Sequence, residues 1–328
     1  MDIDFVLAWV DGGDPDWVRL RNSYCEDSKG INEARFRDWG ALKYWFRAAE
    51  AYAPWVRKIH FVTCGQKPDW LNTDHPKLNL VNHTDYLPEE YLPTFNPNVI
   101  EMNFHRIPGL AEQFVYFNDD MYLNDVVSPT DFFQDGKPCD SAILSQFVPS
   151  VQGDDFRHIL CNDAAFLNDH FDKHAVMRRD LWKWFSPKYG KFLLKNIYFG
   201  IPKGFSSFQN FHIPSAMLRS TYERIWQMEP ALLHETSTHK FRSVNDVNQY
   251  ILSYYNICTG NFVPRSASFG KYYAVGDDSA ALHADIMEHR HKVFCANDNV
   301  DLVDFESEQK QLTAAFERVL PNKSSFEK

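Results

Sequence analysis

Ile3 to Val10 is a continuous apolar stretch broken only by Asp4, and it stops abruptly at Asp11-Gly12-Gly13-Asp14-Pro15. Its length and abrupt end predict a short buried strand. Phe36, Trp39, Leu42, Phe46, Ala49 and Ala53 then recur at three- and four-residue steps. That spacing predicts one apolar helix face, ending before Pro54. Lys58 to Thr63 predicts a second strand, ending at Cys64-Gly65, and Leu78 to Asn82 a third, ending in His83-Thr84-Asp85. Val99 to Ile107 predicts a helix with Ile100, Phe104 and Ile107 on one face. Phe114 to Phe117 predicts a fourth strand that runs into Asn118-Asp119-Asp120, and Ala142 to Phe147 a fifth.

Strands alternating with helices imply an α/β fold with a largely parallel, Rossmann-like sheet. Ligands of such sheets bind outside the carboxyl ends of the strands. Two acidic clusters and a glycine turn, distant in sequence, are expected to meet at that edge. Residues 150–204 have a different texture, with Lys and His and helically spaced apolar residues such as Leu181, Trp184 and Phe185. They read as a helical insertion or cap within a single domain of residues 1–328.

Composition narrows the function. The chain has 34 Lys and Arg against 44 Asp and Glu, a formal net charge of −10. A partner bound through a broad basic footprint, such as nucleic acid, is therefore not expected. An anionic substrate would need a local Arg or Lys cluster or a metal ion. No apolar run reaches the roughly eighteen residues of a membrane span, and the N-terminus lacks the pattern of a secretory leader. The six cysteines are scattered without a C-x-x-C pair, so neither a disulfide framework nor a zinc site is expected.

Several residues could carry chemistry, each beside a plainer reading. Asn118-Asp119-Asp120 could hold Mg²⁺ or Mn²⁺ at a strand end, or form an ordinary turn or cap. Asp11-Gly12 could approach a nucleotide closely, or be a Gly/Asp turn. His212 has the chemistry of a general base, but a histidine beside Phe211, Ile213 and Pro214 also suits a structural role. Arg242, Arg35, Arg37 and Arg106 are candidate phosphate forks or surface side chains. Asn297-Asp298-Asn299 offers further oxygen ligands or a loop turn. His170 and His174, four apart, read as surface residues in the absence of a third ligand.

Taken in order, these elements resemble the Stealth family. One block is Ile3-Asp4-Phe5-Val6 through Trp9-Val10-Asp11-Gly12 to Asp14-Pro15. A second runs from Arg35-Phe36-Arg37-Asp38 through Phe95-Asn96-Pro97-Asn98 and His105-Arg106-Ile107-Pro108 to Phe117-Asn118-Asp119-Asp120. A third surrounds His212-Ile213-Pro214, and a fourth runs from Phe241-Arg242-Ser243 to Thr259-Gly260. The tail, with Cys295-Ala296-Asn297-Asp298-Asn299 and Pro321 to Phe326, also fits. Trp39 departs from the Asn of many relatives, and residues 150–205 match no block.

The resemblance implies a nucleotide-sugar-transferase-like core and a catalytic domain that transfers sugar-1-phosphate. The donor would be a UDP-sugar, often UDP-N-acetylglucosamine, and the acceptor a saccharide hydroxyl. A phosphodiester forms and UMP leaves, in capsular or exopolysaccharide synthesis. By the same resemblance His212, Asp120 and Arg242 are catalytic. Trp9, Asp11, Gly12, Arg37, Asp38, Asn98, Arg106 and Asn118 bind substrate, and Asp119, Asp120 and Asp298 hold Mg²⁺ or Mn²⁺. The expected place of work is the cytoplasmic side, at the inner face of the cell membrane beside a polysaccharide assembly complex. Two rival readings share some of these features: a glycosyltransferase releasing UDP, and a non-catalytic carbohydrate-binding protein.

Overall fold

The computed structural model describes residues 2–25, 39–147, 155–276, 278–298, 302 and 304–328. Its main sheet contains β1 (Ile3–Ala8), β2 (Ile59–Thr63), β3 (Leu78–Asn82) and β4 (Gln113–Phe117). The short β5 (Met121–Leu123) follows, then β6 (Ser215–Leu218), β7 (Gly270–Ala274) and β8 (Val293–Asn297). The order across the main sheet is β6-β4-β1-β2-β3. All neighbours pair in parallel except β6, which runs antiparallel to β4 at one edge. The order 3-2-1-4 within the parallel part is that of Rossmann-type sheets. A second sheet, β7-β8-β5, continues from the end of β4.

Alternation along the strands divides the core in two. Phe5 and Leu7 of β1, Phe61 of β2 and Phe117 of β4 belong to one hydrophobic cluster, with the helix Leu42–Tyr52. Val6, Val62, Val81, Phe114 and Tyr116 point the other way, into a cluster shared with the helices Arg219–Met228 and Tyr250–Thr259. Burial on both faces is why these strands read as continuous apolar runs. Asp4, the polar exception, is fully buried. It accepts hydrogen bonds from Arg57 Nε at 2.8 Å and the Ala111 amide at 2.8 Å, and lies 3.0 Å from His60 Nε2.

Helix boundaries follow local chemistry. Pro15–Tyr24 begins with Asp14 as its cap, accepting from the amides of Asp16 and Trp17, and with proline in its first turn. Leu42–Tyr52 stops before Pro54 as the sequence predicts, while Trp39 lies ahead of it and Phe36 lies outside the described residues. The predicted helix Val99–Ile107 is instead two pieces, Pro97–Met102 and a 3₁₀ turn Phe104–Arg106. Asn103 divides them, its side chain donating to Val99 O at 2.9 Å and to Ser237 Oγ at 3.2 Å. The predicted fifth strand also needs correction: only Leu144–Ser145 is extended, paired with Ser207–Phe208 outside the main sheet. The fifth place belongs to β6. Residues 155–200 are mainly helical. Among the described residues no helix is long and apolar enough to cross a membrane.

Candidate active site

The carboxyl ends of β1 and β4, the start of β6 and the end of β8 converge. After β4 the chain turns through Asn118-Asp119-Asp120, closed by Met121 N donating to Asn118 O at 3.1 Å. The turn is fastened from β8 by Ala296 N, which donates to Asp120 O at 2.8 Å. Asp120 is thereby held partly buried, whereas Asp119 is exposed. The Cys295 thiol donates to Asp120 Oδ2 at 3.2 Å. Asp120 Oδ1 is buried without a hydrogen-bond partner among the described residues.

His212 comes from the segment that leads into β6. Its Nε2 lies 3.5 Å from Asp120 Oδ2, and its Nδ1 lies 3.1 Å from the Tyr250 hydroxyl. Its backbone is left-handed, with φ of 46°, and is held by its amide donating to Asn210 Oδ1 at 2.6 Å. A non-glycine residue keeps such a conformation only where its surroundings impose it. Burial disfavours the imidazolium, but the charge and contact of Asp120 outweigh it and raise the His212 pKa. Burial likewise opposes ionisation of Asp120, and His212 more than compensates, leaving the carboxyl below its ordinary range.

Two cavities meet at this corner. One, of about 1070 Å³, is lined by Asp119, Asp120, His212, Asn297 and Asp298, with Phe156, Phe192, Phe211, Tyr250 and Tyr272 around them. The other, of about 460 Å³, lies against β1 and β2, with Val62, Cys64, His83, Phe95 and Glu101 in its lining. Trp9, Val10, Asn118, Asp119 and Arg242 line both. Arg242 has no hydrogen-bond or ion-pair partner among the described residues, so a charged fork stands at the junction. Burial drops the His83 pKa to about 4, so this ring faces its cavity as the neutral imidazole.

Glu101 escaped the sequence reading. In Pro97–Met102 it looks like a surface residue, yet it is buried in the wall of the smaller cavity. The Tyr116 hydroxyl lies 2.8 Å from Glu101 Oε1 and also touches Asn118 Oδ1. One hydroxyl proton cannot satisfy both acceptors, so one of them must bring its own. Glu101 can do so, because burial pushes its pKa up to about 7. Two further residues were missed. Gln66 accepts from the Asp11 amide at 2.9 Å and donates to Asp11 O at 3.0 Å and Asp14 Oδ2 at 2.9 Å, fixing the Asp-Gly-Gly-Asp loop. The Trp39 indole donates to Asp298 Oδ2 at 3.3 Å.

Not every expected binding residue lies here. Asn98 is buried away from both cavities, where its amide donates to Asp246 Oδ2 at 2.9 Å. Arg106 is exposed, with its guanidinium over the Trp226 ring and Nε bonded to Asn103 Oδ1 at 3.0 Å. Asp11 and Gly12 flank the cleft without lining it, and the Asp11 carboxylate accepts from the Gly13 amide at 2.9 Å. Arg35, Arg37, Asp38 and Asn299 lie outside the described residues.

The donor set suits a hard divalent cation. An unsatisfied carboxylate oxygen on Asp120, with the carboxylates of Asp119 and Asp298 in the same cavity, matches the oxygen preference of Mg²⁺ or Mn²⁺. The atoms gathered within 4.8 Å of one another are those of Asp120, His212 and Cys295; Asp119 and Asp298 line the same cavity outside that group. The Cys295 thiol spends its hydrogen on Asp120 Oδ2, and soft sulfur matches Mg²⁺ or Mn²⁺ less well than oxygen does.

The chain is similar to characterised proteins over its whole length. Stealth conserved region 1 matches residues 1–28, conserved region 2 residues 35–140, and conserved region 4 residues 284–328. The fourth conserved region thus falls on the tail, not on the block at 241–260. A capsular polysaccharide phosphotransferase, WcwK of Streptococcus pneumoniae, is 40% identical over 99% of this chain and 98% of its own. An exopolysaccharide phosphotransferase, cps2G of Lactiplantibacillus plantarum, is 41% identical over 100% and 96%. Among solved structures, the galactosyltransferase LgtC aligns over 95% of both chains at 11% identity and a TM-score of 0.38, too loose a likeness to carry an argument. The relatives and the conserved regions agree: the chain belongs to the Stealth family and is a phosphotransferase.

Proposed function

We propose that this enzyme transfers sugar-1-phosphate from a UDP-sugar, such as UDP-N-acetylglucosamine, to a saccharide hydroxyl in capsular or exopolysaccharide synthesis. The observation that carries the reading is the meeting of Asp120, His212 and Arg242 where two cavities join. A nucleoside-diphosphate sugar has the matching layout: a flat base, a doubly anionic middle and a polar sugar. The base suits the smaller cavity, between Val62, Phe95 and neutral His83. The diphosphate suits the junction at Arg242, and sugar and acceptor suit the larger, aromatic-walled cavity. The chain would work as a single catalytic domain, with residues 150–204 as a cap over the acceptor side. Its place would be the cytoplasmic side of the membrane, beside a polysaccharide assembly complex.

In the proposed reaction the acceptor oxygen attacks the phosphorus that bears the sugar. The hydroxyl proton passes to His212 Nε2, which requires the other ring hydrogen on Nδ1, donated to the Tyr250 oxygen. The bond from that phosphorus to the bridging oxygen breaks, and UMP leaves with the electron pair. Arg242 binds equatorial phosphoryl oxygens, whose charge grows in the transition state. Asp120, with Asp119 and Asp298, would hold Mg²⁺ or Mn²⁺, which when bound neutralises diphosphate charge as a Lewis acid. Glu101 would act through Tyr116 to orient Asn118 at the junction.

The test identifies the bond that breaks. Enzyme, Mg²⁺, UDP-N-acetylglucosamine or other UDP-sugars, and a panel of saccharide acceptors should yield UMP and a phosphodiester signal in the ³¹P NMR spectrum. UDP with a phosphorus-free product would overturn the reading in favour of a glycosyltransferase.

A further inference from the structure

The helix Leu193–Gly200 presents its apolar side to solvent. Leu194, Ile197, Tyr198 and Ile201 fall at steps of three and four, a single helical face. They are 70%, 57%, 69% and 73% exposed. The opposite face is seated by a polar residue: buried Asn196 donates to Ala142 O and Trp184 O, both at 2.6 Å, and accepts from Leu144 N at 2.6 Å. The end of the helix is tied down as well, with Lys173 Nζ donating to Phe199 O at 2.8 Å. Leu193 and Phe199 pack inward against the core, so the outward apolar stripe is surplus to what the fold buries.

The charge around the stripe is equally unusual. Between positions 178 and 204 there are seven Lys and Arg residues against the single acidic Asp180, in a chain of net charge −10. Arg178, Lys188, Lys191 and Lys203 are exposed. An apolar helix face with an interfacial tyrosine and a basic rim has the composition of a segment lying in the plane of an anionic lipid surface. A second copy docking stripe to stripe would bring the two basic rims together, which disfavours that occupant.

We infer that the Leu194–Ile201 face docks this enzyme on an anionic lipid bilayer. Lys191 and Phe192, immediately before the helix, line the larger cavity, so docking sets the active-site cleft beside the membrane. The inference rests on the reading that the enzyme works at a membrane surface. Vesicle binding is measured without turnover, so its failure leaves the phosphotransfer reading standing.

The experiment is co-sedimentation of the full chain with vesicles of phosphatidylcholine alone, or of phosphatidylcholine mixed with phosphatidylglycerol. The expected result is binding to the anionic vesicles that weakens with salt. Leu194→Ser with Ile197→Ser and Ile201→Ser should lower it at least about tenfold, since each buried aliphatic side chain is worth on the order of tenfold in partitioning. Lys203→Glu should lower it several-fold. Thermal melting should stay unchanged in the triple variant. Tyr198→Trp gives an independent readout, a blue-shifted emission on anionic vesicles. Equal vesicle binding by wild type and triple variant, or no shift for the tryptophan, overturns the inference. So does a dimer in solution that the triple variant abolishes, which would assign the stripe to a second copy.

Discussion

Nε2 of His212 lies 3.5 Å from Oδ2 of Asp120, while the other oxygen of that carboxylate is buried with no hydrogen-bond partner among the described residues. One oxygen faces the proposed base, and the other would be open to the proposed cation. Asp120→Asn keeps the shape and removes the charge. Activity should fall about a hundredfold or more, with loss of stimulation by Mg²⁺. Initial rates across a metal titration decide it, and near-wild-type turnover with unchanged metal response would remove Asp120 from the site.

His212→Ala should separate chemistry from binding. A general base acts on the acceptor proton, so turnover should drop roughly 10²- to 10⁴-fold while calorimetry finds donor affinity within a few-fold of wild type. A collapse in donor affinity with a normal saturating rate would make His212 a binding residue.

Asp246 links a buried network to the arginine loop. Fully buried, it accepts from Asn96 at 2.8 Å, Asn98 at 2.9 Å and the Ser243 amide at 3.1 Å, and lies 2.6 Å from His239 Nδ1. Arg242 immediately precedes Ser243. Asp246→Asn should therefore weaken donor binding by about tenfold or more, through misplacement of the guanidinium. In a double-mutant cycle it should add little once Arg242 is already alanine. Full additivity would reduce Asp246 to a fold-stabilising residue.

Glu101 carries a pH signature. Its pKa rises from 4.5 to about 7 on folding, chiefly through burial. Below 4.5 both states hold the proton; as pH rises through 7 the folded state must bury the charge, and stability is lost. Glu101→Gln cannot ionise. It should be more stable than wild type at pH 8, by on the order of 3 kcal/mol at most, and close to it at pH 4.5. Melting curves at both pH values check the sign, and an equal gap at each would refute it.

Asp4 predicts the opposite limb. Burial opposes its charge, but His60, Arg57 and the Ala111 amide outweigh that and hold its pKa below the ordinary carboxylate value. Its contribution is present above about pH 4 and lost as pH falls through the depressed value. Asp4→Asn should cost about 2–4 kcal/mol at neutral pH and flatten acid denaturation. The figure is discounted from that of a fully enclosed pair because Arg57 is 35% exposed. Urea unfolding at pH 7 and pH 3 measures both.

Much of this geometry was legible in the chain before any coordinates. Leu78–Asn82 is a strand over the same residues in sequence and structure, and β1, β2 and β4 differ by one or two residues at their ends. Continuous apolar runs with polar stops encode such strands strongly. β6 escaped because Ser215-Ala216-Met217-Leu218 is short and lacks alternation; pairing with β4 makes it a strand. Asp119, Asp120, Asn118, His212, Arg242, Trp9 and Asp298 line the cleft. Asn98 and Arg106 sit in motifs just as polar, but tertiary packing turns them toward Asp246 and Trp226. Glu101 was invisible for the converse reason, since nothing local marks a glutamate in a short helix as buried.

The antiparallel pairing of β6 with β4 has a consequence for how such enzymes diversify. His212 stands three residues before β6 and Asp120 three after β4, and Ser215 is in register with Tyr116. The separation of the two side chains is thus set by a backbone ladder, however long or short the intervening chain is. The segment between β5 and Asn210, including the helices of residues 155–200, can be rebuilt without moving Asp120 relative to His212. On the proposed reading, in which that segment caps the acceptor side, a lineage exchanges acceptors by remodelling it while inheriting the chemistry intact.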